Sequence, residues 1–221
     1  MKIKCVPFLP VETRNKISFG LFNSQSINLK EEDLKDIILE NKLSLFVITK
    51  SWLSGTSTDN ASLNQLIPDG YTHKQEPRKT KGGGVLVVYK KNLKIEKTKN
   101  VSHVYKTLEI LDLTVAGSKS MRLLAIYRPT PSRKNRLKFS EFISDFSDLL
   151  DELATYGGNL AICGDFNVHM DVPDDSSTRT FTKLIESHGY LQLVNGPTHK
   201  HGHTLDLVLV RQSDAPLFSN F

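Results

Sequence analysis

Cysteine and tryptophan are scarce in this chain, with Cys5, Cys163 and the single Trp52 among 221 residues. Cys163 lies inside an apolar run, so the two thiols make no disulfide framework, which excludes the small, bridge-stapled secreted class. No apolar run approaches the roughly 20 residues that a membrane-spanning helix needs. The segment Met1–Pro10 has two lysines but is interrupted by Pro7 and Pro10, which makes a poor signal peptide. An intracellular setting, nuclear or cytoplasmic, is therefore expected. A nucleotide-cradling loop is also missing. Gly82, Gly83 and Gly84 lead into an apolar strand, whereas a phosphate loop follows a strand, opens a helix and ends in Gly-Lys-Ser/Thr.

What is present is ordinary for a soluble globular protein, with 38% hydrophobic and 24% charged residues. The net charge of +5 gathers in three segments. These are Lys74, Arg78, Lys79 and Lys81; then Lys90, Lys91 and Lys94; then Arg128, Arg133, Lys134, Arg136 and Lys138. Any one cluster reads as solvated loop surface. Three of them beside chemistry-bearing segments favour a polyanionic partner, with Lys79 and Lys81 among the binding candidates.

Residues 1–16 read as a linker or disordered arm, and 17–221 as one domain. Ile17–Phe22, Leu43–Ile48 and Val85–Tyr89 are apolar strand candidates, as are Lys106–Val115, Met121–Tyr127, Leu160–Cys163 and Thr204–Val210. Helical spacing appears over Glu31–Asn41, more strongly over Phe139–Leu153, and over a shorter stretch around Phe181–Ile185. Ser54–Asp69 reads as a polar loop. Strands and helices alternate throughout, which predicts a layered α/β protein.

The most informative stretch is Asn159–Asp171. Its apolar run stops at Gly164, and Asp165 and Asn167 follow, two residues apart and so on one side of extended backbone. A carboxylate beside an amide suits a water nucleophile, a phosphate oxygen or a divalent metal. The plain alternative is an Asx-rich turn that ends a strand. Other strands end in comparable groups: Asn23, Thr49-Lys50 and Tyr127-Arg128, with Asp206 in the last strand. A recurrent set of polar strand ends is the trace of one shared cleft.

Six pieces in order resemble the endonuclease/exonuclease/phosphatase superfamily, and within it the apurinic-type endonuclease domain of non-LTR (LINE-like) retrotransposons. They are Phe22–Ile27, Ile48–Leu53, Gly82–Leu86, Ala125–Pro129, Gly164–His169 and Pro197–Leu207. The resemblance implies a four-layered α/β sandwich and Mg2+-dependent phosphodiester hydrolysis that nicks DNA, without a small-molecule cofactor or a membrane. It implies that Asn23 orients a metal-bound or phosphate oxygen and that Tyr127 hydrogen-bonds the scissile phosphate or leaving oxygen. Asp165 would orient and deprotonate the attacking water, Asn167 would hold the phosphate, and Asp206 would orient a histidine. Arg128 would sit beside the strand backbone, and Arg128 and Thr198 would serve the nucleic acid. His169 also matches, though a lone histidine there reads as a loop residue.

Two departures from the pattern matter. Where the family's Glu ligand stands, this chain has Lys50, and an ammonium has no lone pair for a metal. A family Ser-Asp-His motif on a further strand after Asp206 is not matched, so the expectation is a sandwich truncated at its C-terminal strand. Magnesium binding is expected to be weakened or lost. Three readings follow: an impaired nicking endonuclease, a catalytically dead nucleic-acid-binding relic, and a phosphatase of small phosphorylated substrates.

Overall fold

Apolar residues alternating along the strands set the architecture, because successive strand side chains face opposite sides of a sheet. The computed structural model describes residues 4–8, 17–78, 82–98, 104–117 and 120–218. In chain order they form β1 Lys4–Phe8, β2 Ile17–Asn23, α1 Glu31–Glu40, β3 Leu45–Thr49 and α2 Asn60–Leu66. Next come β4 Tyr71–Glu76, β5 Val85–Lys90, β6 Ile95–Lys97, β7 Glu109–Val115 and β8 Met121–Tyr127. The remainder is α3 Phe139–Ala154, β9 Asn159–Asp165, α4 Ser176–Ser187, β10 Tyr190–Gln192 and β11 Asp206–Arg211.

The strands make a five-stranded sheet, β1-β2-β3-β5-β4, and a six-stranded sheet, β10-β11-β9-β8-β7-β6. Pairing is parallel between β2 and β3 and between β8 and β9, and antiparallel elsewhere. One parity faces the space between the sheets: Phe19 and Leu21, Leu45 and Val47, Val85 and Val87 meet Leu123 and Ala125, Ala161 and Cys163, Val208 and Val210. The opposite parity faces helices. Phe46, Ile48, Leu86 and Val88 pack with Leu34 and Ile38 of α1 and Leu63 and Leu66 of α2. Leu124, Ile126, Leu160, Ile162, Leu207 and Leu209 pack with α3 and α4. The result is the expected four-layered sandwich: helices, sheet, sheet, helices.

The helices follow from spacing and caps. Phe142, Phe146, Leu149, Leu150 and Leu153 of α3 are all buried, at roughly 1.5–3 kcal/mol for each large side chain removed from water. The Glu141 carboxylate accepts from the Lys138 backbone N–H at 2.8 Å, closing the first turn. In α4 the Asp175 carboxylate accepts from the backbones of Ser177 and Thr178 at 2.8 and 3.1 Å.

Several expectations change. Lys4–Phe8 pairs antiparallel with β2, so a strand stands inside the segment read as a linker or disordered arm. The polar loop 54–69 contains α2, marked only by Leu63 and Leu66. Lys74 lies on strand β4 rather than in a loop. Among the described residues no helix is long and apolar enough to cross a membrane.

Candidate functional site

The inward parity that builds the core also builds the site. Continue Phe19 and Leu21 by two and the residue is Asn23; Leu45 and Val47 lead to Thr49; Leu123 and Ala125 lead to Tyr127. Ala161 and Cys163 lead to Asp165, and Val210 and Val208, read backwards along β11, lead to Asp206. Register places these ends side by side: Asn23 opposite Thr49, and Tyr127, Asp165 and Asp206 in one row across β8, β9 and β11. On these five strands the last inward position is therefore polar where the inward positions before it are apolar.

Asp165 is the centre and is fully buried, at 0% exposure. Its Oδ2 accepts from Asn23 Nδ2 at 2.6 Å and pairs with Lys50 Nζ at 2.8 Å. Its Oδ1 accepts from the Asn167 backbone N–H at 3.1 Å. Burial pushes this carboxyl upward, and the Lys50 charge acts against that. Lys50 is one residue past the inward parity and reaches Asp165 because its backbone is left-handed, with φ 52°. The Ser26 N–H and the Ser24 hydroxyl hold the Lys50 carbonyl at 2.8 and 2.9 Å, fixing that turn. Its ammonium also stands 5.2 Å from the centre of the Tyr127 ring. Burial, followed by the Asp165 charge, raises the Tyr127 phenol, so it remains a hydrogen-bond donor.

Asn167 does not project beside Asp165 as extended backbone would require. With φ 50° it turns away, and its amide donates to the Arg128 carbonyl at 2.7 Å. The Asx-turn geometry between Asp165 and Asn167 is thus present within the cleft itself. Arg128 is buried, at 4% exposure, with its guanidinium against the loop that follows β9. Its Nη1 donates to the carbonyls of Phe166 and Asn167 at 3.0 and 3.1 Å, and its guanidinium lies 4.4 Å from the Phe142 ring centre. Burial lowers it to about 10. Its placement is that of a loop-positioning residue. Thr198 Oγ1 accepts from the backbones of Leu205 and Asp206 at 3.0 and 3.1 Å, which seats the start of β11. Lys79 and Lys81 lie outside the described residues. Arg78 is paired with Glu109 at 3.0 Å, whereas Arg133, Lys134, Arg136 and Lys138 are exposed.

A cavity of about 520 Å³ opens beside this rung, lined among others by Asn23, Lys30, Thr198, His199, Lys200 and Asp206. Asn23 Oδ1, Thr49 Oγ1 and Asp206 Oδ1 are buried there or nearby with no hydrogen-bond partner. Unsatisfied acceptors beside a cavity mark a place where a polar group docks. The magnesium that the resemblance implies does not fit this donor set. Where the resemblance places a carboxylate ligand this chain has the Lys50 ammonium, 2.8 Å from Asp165 Oδ2, which offers no lone pair and sets a positive charge where the dication would sit.

Asp206 carries a consequence for stability. Its carboxyl is pushed up to about 7, by burial first and by the Asp165 charge second. The folded chain therefore keeps a proton that the unfolded chain, near 3.8, releases. That stabilisation is complete below about pH 4 and is lost as the pH rises through about 7. Asp206→Asn cannot ionise, so at pH 8 it is expected to be more stable than the natural chain by roughly 4 kcal/mol, and about equal to it at pH 4. Urea melts at both pH values check this; parallel pH profiles would refute the assignment.

Sequence reasoning missed a second cluster. His169, Asp171 and His203 offer one ligand atom each within 4.8 Å of one another. The signal was present only as histidines in two loops far apart in the chain.

The endonuclease/exonuclease/phosphatase family profile matches residues 21–219. No curated protein sequence matches the chain. Among solved structures it is similar to an AP endonuclease, LMAP, from Leishmania major, with a TM-score of 0.66 and 14% identity over 93% of this chain and 84% of that one. It is also similar to the endonuclease domain of TRAS1, a telomere-specific non-LTR retrotransposon, with a TM-score of 0.61 and 10% identity over 88% and 85%. A third is the 3′ phosphatase NExo from Neisseria bound to product DNA hairpin, with a TM-score of 0.61 and 15% identity over 89% and 88%. At these identities the structural likeness speaks for the fold, while the profile spans nearly the whole described chain. The chain belongs to the endonuclease/exonuclease/phosphatase family.

Proposed function

We propose that this chain is a DNA-backbone-binding domain of the nicking-endonuclease type, of non-LTR retrotransposon origin, in which phosphodiester hydrolysis is impaired. The observation that carries the reading is Lys50 Nζ at 2.8 Å from the buried Asp165 carboxylate, inside a rung of phosphate-handling groups. A general base needs a free lone pair aimed at the water it deprotonates. Here Asn23, Lys50 and the Asn167 backbone share both oxygens of Asp165. Lys30 and Lys200, which line the cleft, can neutralise phosphate oxygens there, which favours binding over cleavage. The exposed Arg133, Lys134, Arg136 and Lys138 precede α3 and extend the basic surface away from the rung. The motifs around Asp165 and Asp206, and the likeness to the TRAS1 domain, support the retroelement origin.

The test uses the full chain with duplex DNA and with supercoiled plasmid. Binding is expected to weaken steeply with salt, since neutralised phosphates release counterions, and plasmid is expected to stay supercoiled in Mg2+. Replacing Arg133, Lys134 and Arg136 together by Glu is expected to lower affinity and flatten the salt slope. Absence of binding at low salt sinks the binding half. Mg2+-dependent nicking that Asp165→Asn abolishes sinks the impairment.

A further inference from the structure

We infer that His169, Asp171 and His203 form a binding site for one borderline-soft divalent ion of the Zn2+ type, outside the Asp165 rung. The inference stands independently of the DNA reading. The three side chains come from two connections, the loop after β9 and the segment leading into β11, and present two imidazoles and a carboxylate to one point. Each offers a ligand atom within 4.8 Å of the other two. Ligands on a tetrahedral ion at about 2.0–2.1 Å lie roughly 3.4 Å apart, so small side-chain rotations close the set.

The cluster is already half assembled. Asp171 Oδ2 lies 2.9 Å from His203 Nδ1, and the two imidazole rings meet edge to face at 4.2 Å between centres. The other Asp171 oxygen accepts from the Thr204 backbone N–H at 2.8 Å, which fixes the carboxylate as an outer-shell partner does in metal sites. The backbones that carry the histidines are pinned as well. The His169 carbonyl accepts from Val172 N and Thr178 Oγ1 at 2.9 and 3.0 Å. The His203 carbonyl accepts from Thr198 N and His199 N at 2.9 and 2.8 Å. Two neutral imidazoles and one carboxylate suit Zn2+ and its neighbours, and do not suit Mg2+ or Ca2+, which take oxygen ligands. His169 and Asp171 are exposed, so a fourth position faces solvent. An ion here ties the β9 loop to the segment whose Thr198 seats Asp206.

Chelator-treated full chain titrated with ZnCl2 by calorimetry is expected to bind one equivalent and to gain Tm, while MgCl2 does neither. Asp171→Asn and His203→Ala are each expected to lose at least about tenfold in affinity. His199→Ala with His201→Ala, the neighbouring histidines whose rings lie 5.0 Å apart, is expected to leave the one-equivalent site intact. If His203→Ala does not fold, His169→Gln read by the visible absorption bands of bound Co2+ gives the same comparison. Absence of a saturable one-equivalent site overturns the inference. So does binding that survives loss of His169 and His203, or that Mg2+ matches.

Discussion

Lys50→Glu in the presence of chelator is expected to unfold about 3–5 kcal/mol more easily than the natural chain, and Mg2+ is expected to restore much of that loss. The natural ion pair has Lys50 Nζ 2.8 Å from a carboxylate with no exposed surface, and the lysine side chain itself is 17% exposed. Removing the cation leaves Asp165 unpaired in low dielectric, and the new carboxylate adds repulsion beside Asp165 and the neighbouring Asp206. That same crowd of oxygens is what a hard dication requires. Asn23 Oδ1 and Asp206 Oδ1, which lack partners, then gain one. Lys50→Met separates the two effects: it is expected to lose stability by a smaller amount and to ignore Mg2+. Urea melts of all three proteins with and without Mg2+ make the measurement. A natural chain stabilised by Mg2+ as strongly as Lys50→Glu would show that the ammonium does not exclude the ion.

Gly164→Ala is expected to cost about 4 kcal/mol or more, enough to leave little folded protein. Gly164 sits opposite Ile126 in the parallel β8–β9 pair with φ 147°, a conformation that side chains rarely adopt. A Cβ there would fall 1.8 Å from the Ile126 carbonyl oxygen, which is backbone and cannot swing aside. The strands would have to part immediately before Asp165, so whatever fold survived would misplace the central carboxylate. Far-ultraviolet circular dichroism and a urea melt decide it; a variant within about 1 kcal/mol of the natural chain would mean that β8 and β9 tolerate separation.

Much of this geometry is legible in the residues, for an identifiable reason. Period-2 alternation in the buried strands both places the core and forecasts which terminal residue looks inward, so Asn23, Tyr127, Asp165 and Asp206 are brought together. The four-turn stripe of α3 is equally plain. What periodicity cannot register is a residue that leaves it. Lys50 and Asn167 both take positive φ, and each aims its side chain where extended backbone would not. Arg128 looks like surface charge until Phe139 and Phe142 are seen around it. Helix α2 has too few apolar residues to stand out from a loop, and β4 is an edge strand, Tyr71–Glu76, whose mixed polarity hides its period. The His169, Asp171 and His203 group depends on a closure between loops about thirty residues apart, which no local pattern encodes.

The polar rung also bears on how the two sheets resist shear. Contact between apolar faces is non-directional, so sliding one sheet over the other meets little opposition until atoms collide. Asn23 and Lys50 belong to one sheet or its margin and Asp165 to the other, and both short contacts converge on one oxygen. They act as a rivet at one end of the slab. The other end is fastened differently, by the short connection from Lys90 of β5 to Ile95 of β6 and by the Tyr89 hydroxyl, which donates to the Ile95 carbonyl at 3.5 Å, so sliding of one sheet on the other is opposed at both ends of the slab.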